Sequence, residues 1–163
     1  MRTYYIFKIN KYFAYIYKRF PLKMYKIIEE LYHTKEYDIL LSYKYYQRFA
    51  IEFNKLAINE YIYNLNKQNK NYQRDNNIHI IINEKYNKLT INQMCIILKT
   101  NDIYSVFLND LNVYLDNIFI CDFKNNDYFW LDSLNKDRQN KLSLVNHIIR
   151  VALYKTVYQP KKE

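Results

Sequence analysis

At 163 residues and 20.3 kDa, with half its residues hydrophobic, the chain is long enough to bury a sizeable core in one domain. It contains no glycine, which argues against the phosphate-cradling loops, dinucleotide fingerprints and nucleophile elbows that need a residue without Cβ. The net charge of +9 permits nucleic-acid or acidic-protein partners, but 20 tyrosines and abundant Asn, Ile and Lys point to a compositional drift that raises charge on any surface.

Residues 3–9 (TYYIFKI) are aromatic and β-branched and predict a strand. Asn10 then caps a short helix over 11–19. Pro21 opens a second helix, to residue 33, with Met24, Ile27, Ile28 and Leu31 at helical spacing. Thr34 caps a third, whose stripe of Tyr37, Leu41, Tyr45, Phe49, Phe53 and Leu56 predicts a core-facing side. The helical pattern continues or restarts through 61–66. Asparagine-rich 64–77 predicts a loop. Residues 78–82 (IHIII) and 89–99 (LTINQMCIILK) predict a hairpin about a turn at 83–88. Asn101 caps a helix carrying Tyr104, Phe107, Leu108 and Leu111. Residues 117–123 (NIFICDF) predict a strand, 124–127 a turn, and 128–131 (YFWL) a further strand. Asp132 or Ser133 starts a final helix to residue 157, with Leu142, Val145, Ile149 and Ala152 along its stripe, and 158–163 predicts a frayed tail. This order predicts one α+β domain over 1–157. Its sheet is small, mostly antiparallel and covered by helices, with an extra C-terminal helix.

The chemistry-bearing residues form no constellation. His33, His79 and His147 are scattered, with no HxH, HExxH or CxxC spacing, so no metal ligand and no cofactor are predicted. Cys95 and Cys121 lie far apart inside apolar runs and predict buried free thiols in a reducing compartment. Ser42, Ser105, Ser133 and Ser143 lack the glycine context of an activated nucleophile. Glu29 and Glu30 are adjacent rather than face-sharing. Asp122 and Asp127 flank the late turn, where turn chemistry accounts for both. No catalytic residue is expected, and the chain is read as non-enzymatic. The opening apolar run is interrupted by Lys8, Asn10 and Lys11, and residues 142–153 are too few to span a bilayer. A soluble cytoplasmic protein without a membrane partner is expected.

Residues 12–17 are apolar or aromatic at every position. A surface helix buries one stripe of about 100°. If Tyr12 and Ile16, with Tyr15 beside them, face the core, then Phe13 and Tyr17 share another, exposed face at i, i+4, an arrangement suited to docking on a protein; the alternative is that later helices cover both faces.

The opening YYIFKINKYFAYIY and the closing IFICDFKNNDYFWL resemble the two ends of the SirA family, the sporulation inhibitors of replication of Firmicutes. The resemblance is carried by Tyr4 and Tyr5, by Phe13, Ala14 and Tyr17, and by Asp122, Phe123, Tyr128, Trp130 and Leu131, about a fifth of the chain. It implies an α+β cytosolic protein that binds domain I of the replication initiator DnaA and restrains initiation at the chromosomal origin. It also implies that Phe13, Ala14 and Tyr17 are the partner-binding residues, with no direct DNA contact. The chain continues about thirty residues past Leu131, beyond the resemblance. The alternative is a basic nucleic-acid-binding protein, which predicts lysines clustered on one face and binding that falls steeply with salt.

Overall fold

The structure, a computed structural model, describes residues 1–34, 39–102 and 104–133. By its internal contacts the chain divides into Met1–Leu131 and Asp132–Glu163, and the architecture below belongs to the first. The expected final helix and Tyr37 lie outside the described residues.

The elements run β1 (Arg2–Ile9), α1 (Lys11–Tyr17), α2 (Pro21–Tyr32), α3 (Ile39–Phe49), β2 (Ala50–Ile51), α4 (Lys55–Asn66), β3 (Tyr72–Asp75), β4 (Ile78–Ile82), β5 (Tyr86–Ile91), β6 (Ile96–Thr100), α5 (Val106–Tyr114), β7 (Ile118–Asp122) and β8 (Asp127–Trp130). The strands form one eight-stranded sheet in the order β3-β4-β5-β6-β1-β7-β8, with β2 paired to the end of β1. All these pairings are antiparallel, and the fold is α+β as expected. Both β6 and β7 run antiparallel to β1, so they are parallel to each other. Joining them takes a crossover, which α5 supplies.

Register assigns the two faces. Tyr5 lies opposite Ile97 and Cys121, and Phe7 opposite Phe119. That face packs against Met24, Tyr25 and Ile28 of α2 and Tyr46 and Phe49 of α3. The alternate residues, Tyr4 and Ile6 with Leu98 and Ile96, belong to the other face. Ile58 and Ile62 of α4 and Phe107, Leu108 and Leu111 of α5 are also buried.

Several boundaries differ from expectation. The long third helix is broken: α3 ends at Phe49, β2 follows, and Asn54 caps α4 by accepting a bond from the Ala57 N–H at 3.1 Å. Along α3 it is Tyr46 and Phe49 that are buried, while Leu41, Tyr45 and, on α4, Leu56 are exposed. The expected strand over 89–99 is two strands folded about Asn92–Cys95, with Ile91 opposite Ile96. The expected loop contains β3, which pairs with β4. Asn101 caps no helix, because its side chain accepts the Tyr86 N–H at 2.8 Å; α5 starts after Ser105. Without glycine, the left-handed positions fall to asparagine: Asn76, Asn117 and Asn126 have φ of 50°, 55° and 51°.

Candidate docking surface

Asn10 organises the first helix. Its Oδ1 accepts the Phe13 N–H at 2.9 Å, capping α1, while its Nδ2 donates to the Arg48 carbonyl at 2.7 Å. Its backbone N–H also donates to the Phe49 carbonyl at 2.8 Å. One residue therefore fixes both the start of α1 and its seat against the end of α3.

That seat sets the helix rotation. Ala14, the smallest side chain of the run, faces inward and is 2 % exposed. Phe13 and Tyr17 flank it, half-buried against the core cluster. Their rings stack at 5.8 Å and 8°, and Phe13 lies 6.5 Å from Phe49. Tyr12 and Tyr15 are 70 % and 85 % exposed and Ile16 is also exposed, so the expected rotation is reversed: these three face outward, and Phe13 and Tyr17, expected on the exposed face, turn toward the core. The reason is steric. Close approach of α1 to its neighbours leaves room beneath it for a methyl and for ring edges, not for three large side chains.

Phe13 also forms part of the wall of a surface groove of about 290 Å³ between α1, α2 and α3. Ile27 and Leu31 line it from α2, and Tyr45 and Phe49 from α3, with Glu30 and Arg48 among its walls. The Arg48 guanidinium sits over the Tyr45 ring at 5.1 Å. A neighbouring apolar cleft of about 510 Å³ shares Leu31 and Phe49 and reaches Tyr5, Cys95 and Ile97 on the sheet.

The charge is not spread evenly. Residues 1–28 carry Arg2, Lys8, Lys11, Lys18, Arg19, Lys23 and Lys26 and no Asp or Glu. Residues 29–131 carry eleven Lys and Arg against thirteen Asp and Glu. The basic character of this unit therefore belongs to β1, α1 and the first half of α2, whereas drift alone would distribute it.

His33 ends α2 as its C-cap, and its N–H donates to the Glu29 carbonyl. His79 is buried between Tyr72 and Asn59. Cys121 is a buried free thiol as expected, whereas Cys95 is only half-buried; burial pushes the Cys95 thiol up to about 12 and raises the Cys121 thiol as well. Lys26 and then Tyr25 hold the Glu29 carboxyl below its usual range. Asp122 and Asp127 do face each other across the β7–β8 pair. Asp127, however, is engaged by Arg2 at 2.5 Å, and Asp122 accepts the Asn125 side chain at 2.5 Å. No cluster of three His, Cys, Asp or Glu suited to a metal occurs among the described residues. Nor, among them, is any helix long and apolar enough to cross a membrane.

Of the three sequence-predicted partner contacts, Phe13 and Tyr17 come together and Ala14 lies beneath them. Sequence reasoning missed the groove, whose walls come from three helices, and the exposed corner at Phe20 and Leu22, which lies just past the run that drew attention. No protein-family model matches the chain, and no curated protein matches it.

Proposed function

We propose that the protein is a non-enzymatic negative regulator that docks α1 on domain I of the replication initiator DnaA, and so inhibits initiation of chromosome replication. The observation that carries this reading is the stacked, half-buried Phe13–Tyr17 pair, with Phe13 in the wall of an apolar groove and exposed Tyr12 and Tyr15 on the same helix. Rigid aromatic pairs beside a pocket are the usual anchors of a protein interface. Ala14 contributes from below, by letting α1 lie close enough to hold both rings in place. The resemblance at Tyr4, Tyr5, Phe13, Ala14 and Tyr17 supplies the partner's identity. Occupying a domain used for self-association and partner loading impairs assembly at the origin. The surrounding lysines accelerate encounter with an acidic partner face.

The test is a titration of domain I against the wild type and the Phe13→Ala/Tyr17→Ala double variant. Truncating a desolvated aromatic anchor costs about 2 kcal/mol, roughly a thirtyfold loss of affinity. Unchanged affinity in a folded double variant removes the patch from the account.

The clustering of cations over residues 1–28 favours a second reading, direct nucleic-acid binding. It predicts a mobility shift that falls steeply between two salt concentrations. Absence of a shift near physiological salt eliminates it.

A further inference from the structure

The corner between α1 and α2 exposes two apolar side chains where the chain turns, Phe20 at 51 % and Leu22 at 53 %. Arg19 precedes them and Lys23 follows, its ammonium 5.1 Å above the Phe20 ring, while Lys26 is paired with Glu29 at 2.5 Å. The first carboxylate in the chain is Glu29, about two turns of α2 beyond Leu22.

We propose that this corner attaches the protein reversibly to the surface of an anionic lipid bilayer. Phe20 and Leu22 enter the boundary between headgroups and acyl chains, and the surrounding cations meet lipid phosphates. Such interfacial binding draws on apolar burial together with attraction to anionic lipid, and each Lys or Arg near the surface adds to it. The first carboxylate in sequence, Glu29, is held by Lys26 at 2.5 Å, so Arg19 and Lys23 are the cations left to meet lipid. The expectation of no membrane partner rested on the lack of a spanning run. Interfacial attachment needs only a surface patch, which appears once α1 and α2 meet. A nucleic acid would use the cations but leave Phe20 and Leu22 in water, so the paired apolar tips favour lipid. The proposal goes beyond the initiator-docking reading and does not depend on it, because neither Phe13 nor Tyr17 takes part.

The test is co-sedimentation of the full chain with vesicles of phosphatidylcholine plus phosphatidylglycerol, and of phosphatidylcholine alone. Binding is expected only with the anionic lipid. It should weaken as salt is raised from 0.1 to 1 M, where the screening length shrinks from about 10 to about 3 Å. Arg19→Gln/Lys23→Gln should weaken partitioning about thirtyfold. Phe20→Ser/Leu22→Ser should weaken it at least tenfold, roughly what partial burial of two such side chains supplies. Both positions are exposed, and Phe20 is the N-cap of α2, where serine is preferred, so this variant keeps the fold. Equal binding to neutral vesicles, or undiminished binding by the Phe20→Ser/Leu22→Ser variant, overturns the proposal. So does retardation of a DNA duplex without vesicle binding, which assigns the cations to nucleic acid.

Discussion

Acidification is expected to weaken this fold through one side chain, His79. It is fully buried, with Nδ1 2.7 Å from the Tyr72 hydroxyl and Nε2 2.8 Å from Asn59 Oδ1. Asn59 Nδ2 donates to the Lys55 carbonyl at 2.7 Å, which leaves Oδ1 as an acceptor facing the ring. Nε2 therefore carries the hydrogen and Nδ1 accepts from the Tyr72 hydroxyl, so both nitrogens of the neutral ring are satisfied. A second proton would place a charge in a dry site and reverse the Tyr72 bond, so that the hydroxyl accepts and its own hydrogen loses its partner. Burial, with a smaller contribution from nearby Arg74, lowers the His79 pKa to about 4. In the unfolded chain it is about 6.5. Between those values the unfolded state binds a proton that the folded state refuses. Stability thus falls as pH drops from about 6.5 to about 4 and levels off below, where both states are protonated. At about 1.36 kcal/mol per pH unit the gap amounts to about 3 kcal/mol. Guanidinium denaturation at pH 7 and pH 4.5, on the wild type and His79→Gln, measures it: the variant should lose far less stability on acidification, whatever its starting value. Equal losses in the two proteins, or a nuclear magnetic resonance titration placing His79 near pH 6.5, refute the reasoning.

Two further tests concern α1 and the glycine-free turns. Ala14→Leu should cost about 1–3 kcal/mol by overpacking the seam beneath α1, whereas Tyr15→Ala should stay within about 0.5 kcal/mol. Denaturation midpoints compare the two, and a neutral Ala14→Leu would mean that α1 is not seated on its methyl. At Asn117, whose carbonyl accepts the Ile9 N–H at 2.9 Å, alanine should cost about 1 kcal/mol or more and glycine much less, because φ is 55°. A thermal melt of both variants checks the order, and equal melting temperatures refute it.

What was legible in the sequence was local. β1, α2 and the β7–β8 pair were found because branched and aromatic runs, a proline start and a polar turn each act within a few residues. β3 was hidden because its residues, YQRD, form an edge strand with three exposed positions and no apolar alternation to read. The inward sides of α1 and α3 were misread for a related reason. Periodicity needs contrast, and a run such as YFAYIY has almost none. With 20 tyrosines, a ring says little about burial: Tyr4 is sealed in the core while Tyr15 stands in solvent. The rotation of α1 is decided instead by Asn10, through a bond to Arg48 that spans 38 residues of sequence.

The candidate site divides in the same way. The stacking of Phe13 on Tyr17 follows from i, i+4 spacing alone and was predictable. The burial of Ala14 and the groove beside Phe13 depend on where α2 and α3 lie, and no local pattern encodes that. The charge pattern lies between these cases. The absence of carboxylates before Glu29 can be read from the sequence, yet it becomes a surface property only when the turn between α1 and α2 sets the Lys23 ammonium over the exposed Phe20 ring. Had drift alone supplied these lysines, acids would be interspersed among them, as they are from residue 29 to 131. Their absence from residues 1–28, the segment that also exposes Phe20 and Leu22, is what makes this corner, and not the net charge, the feature to test.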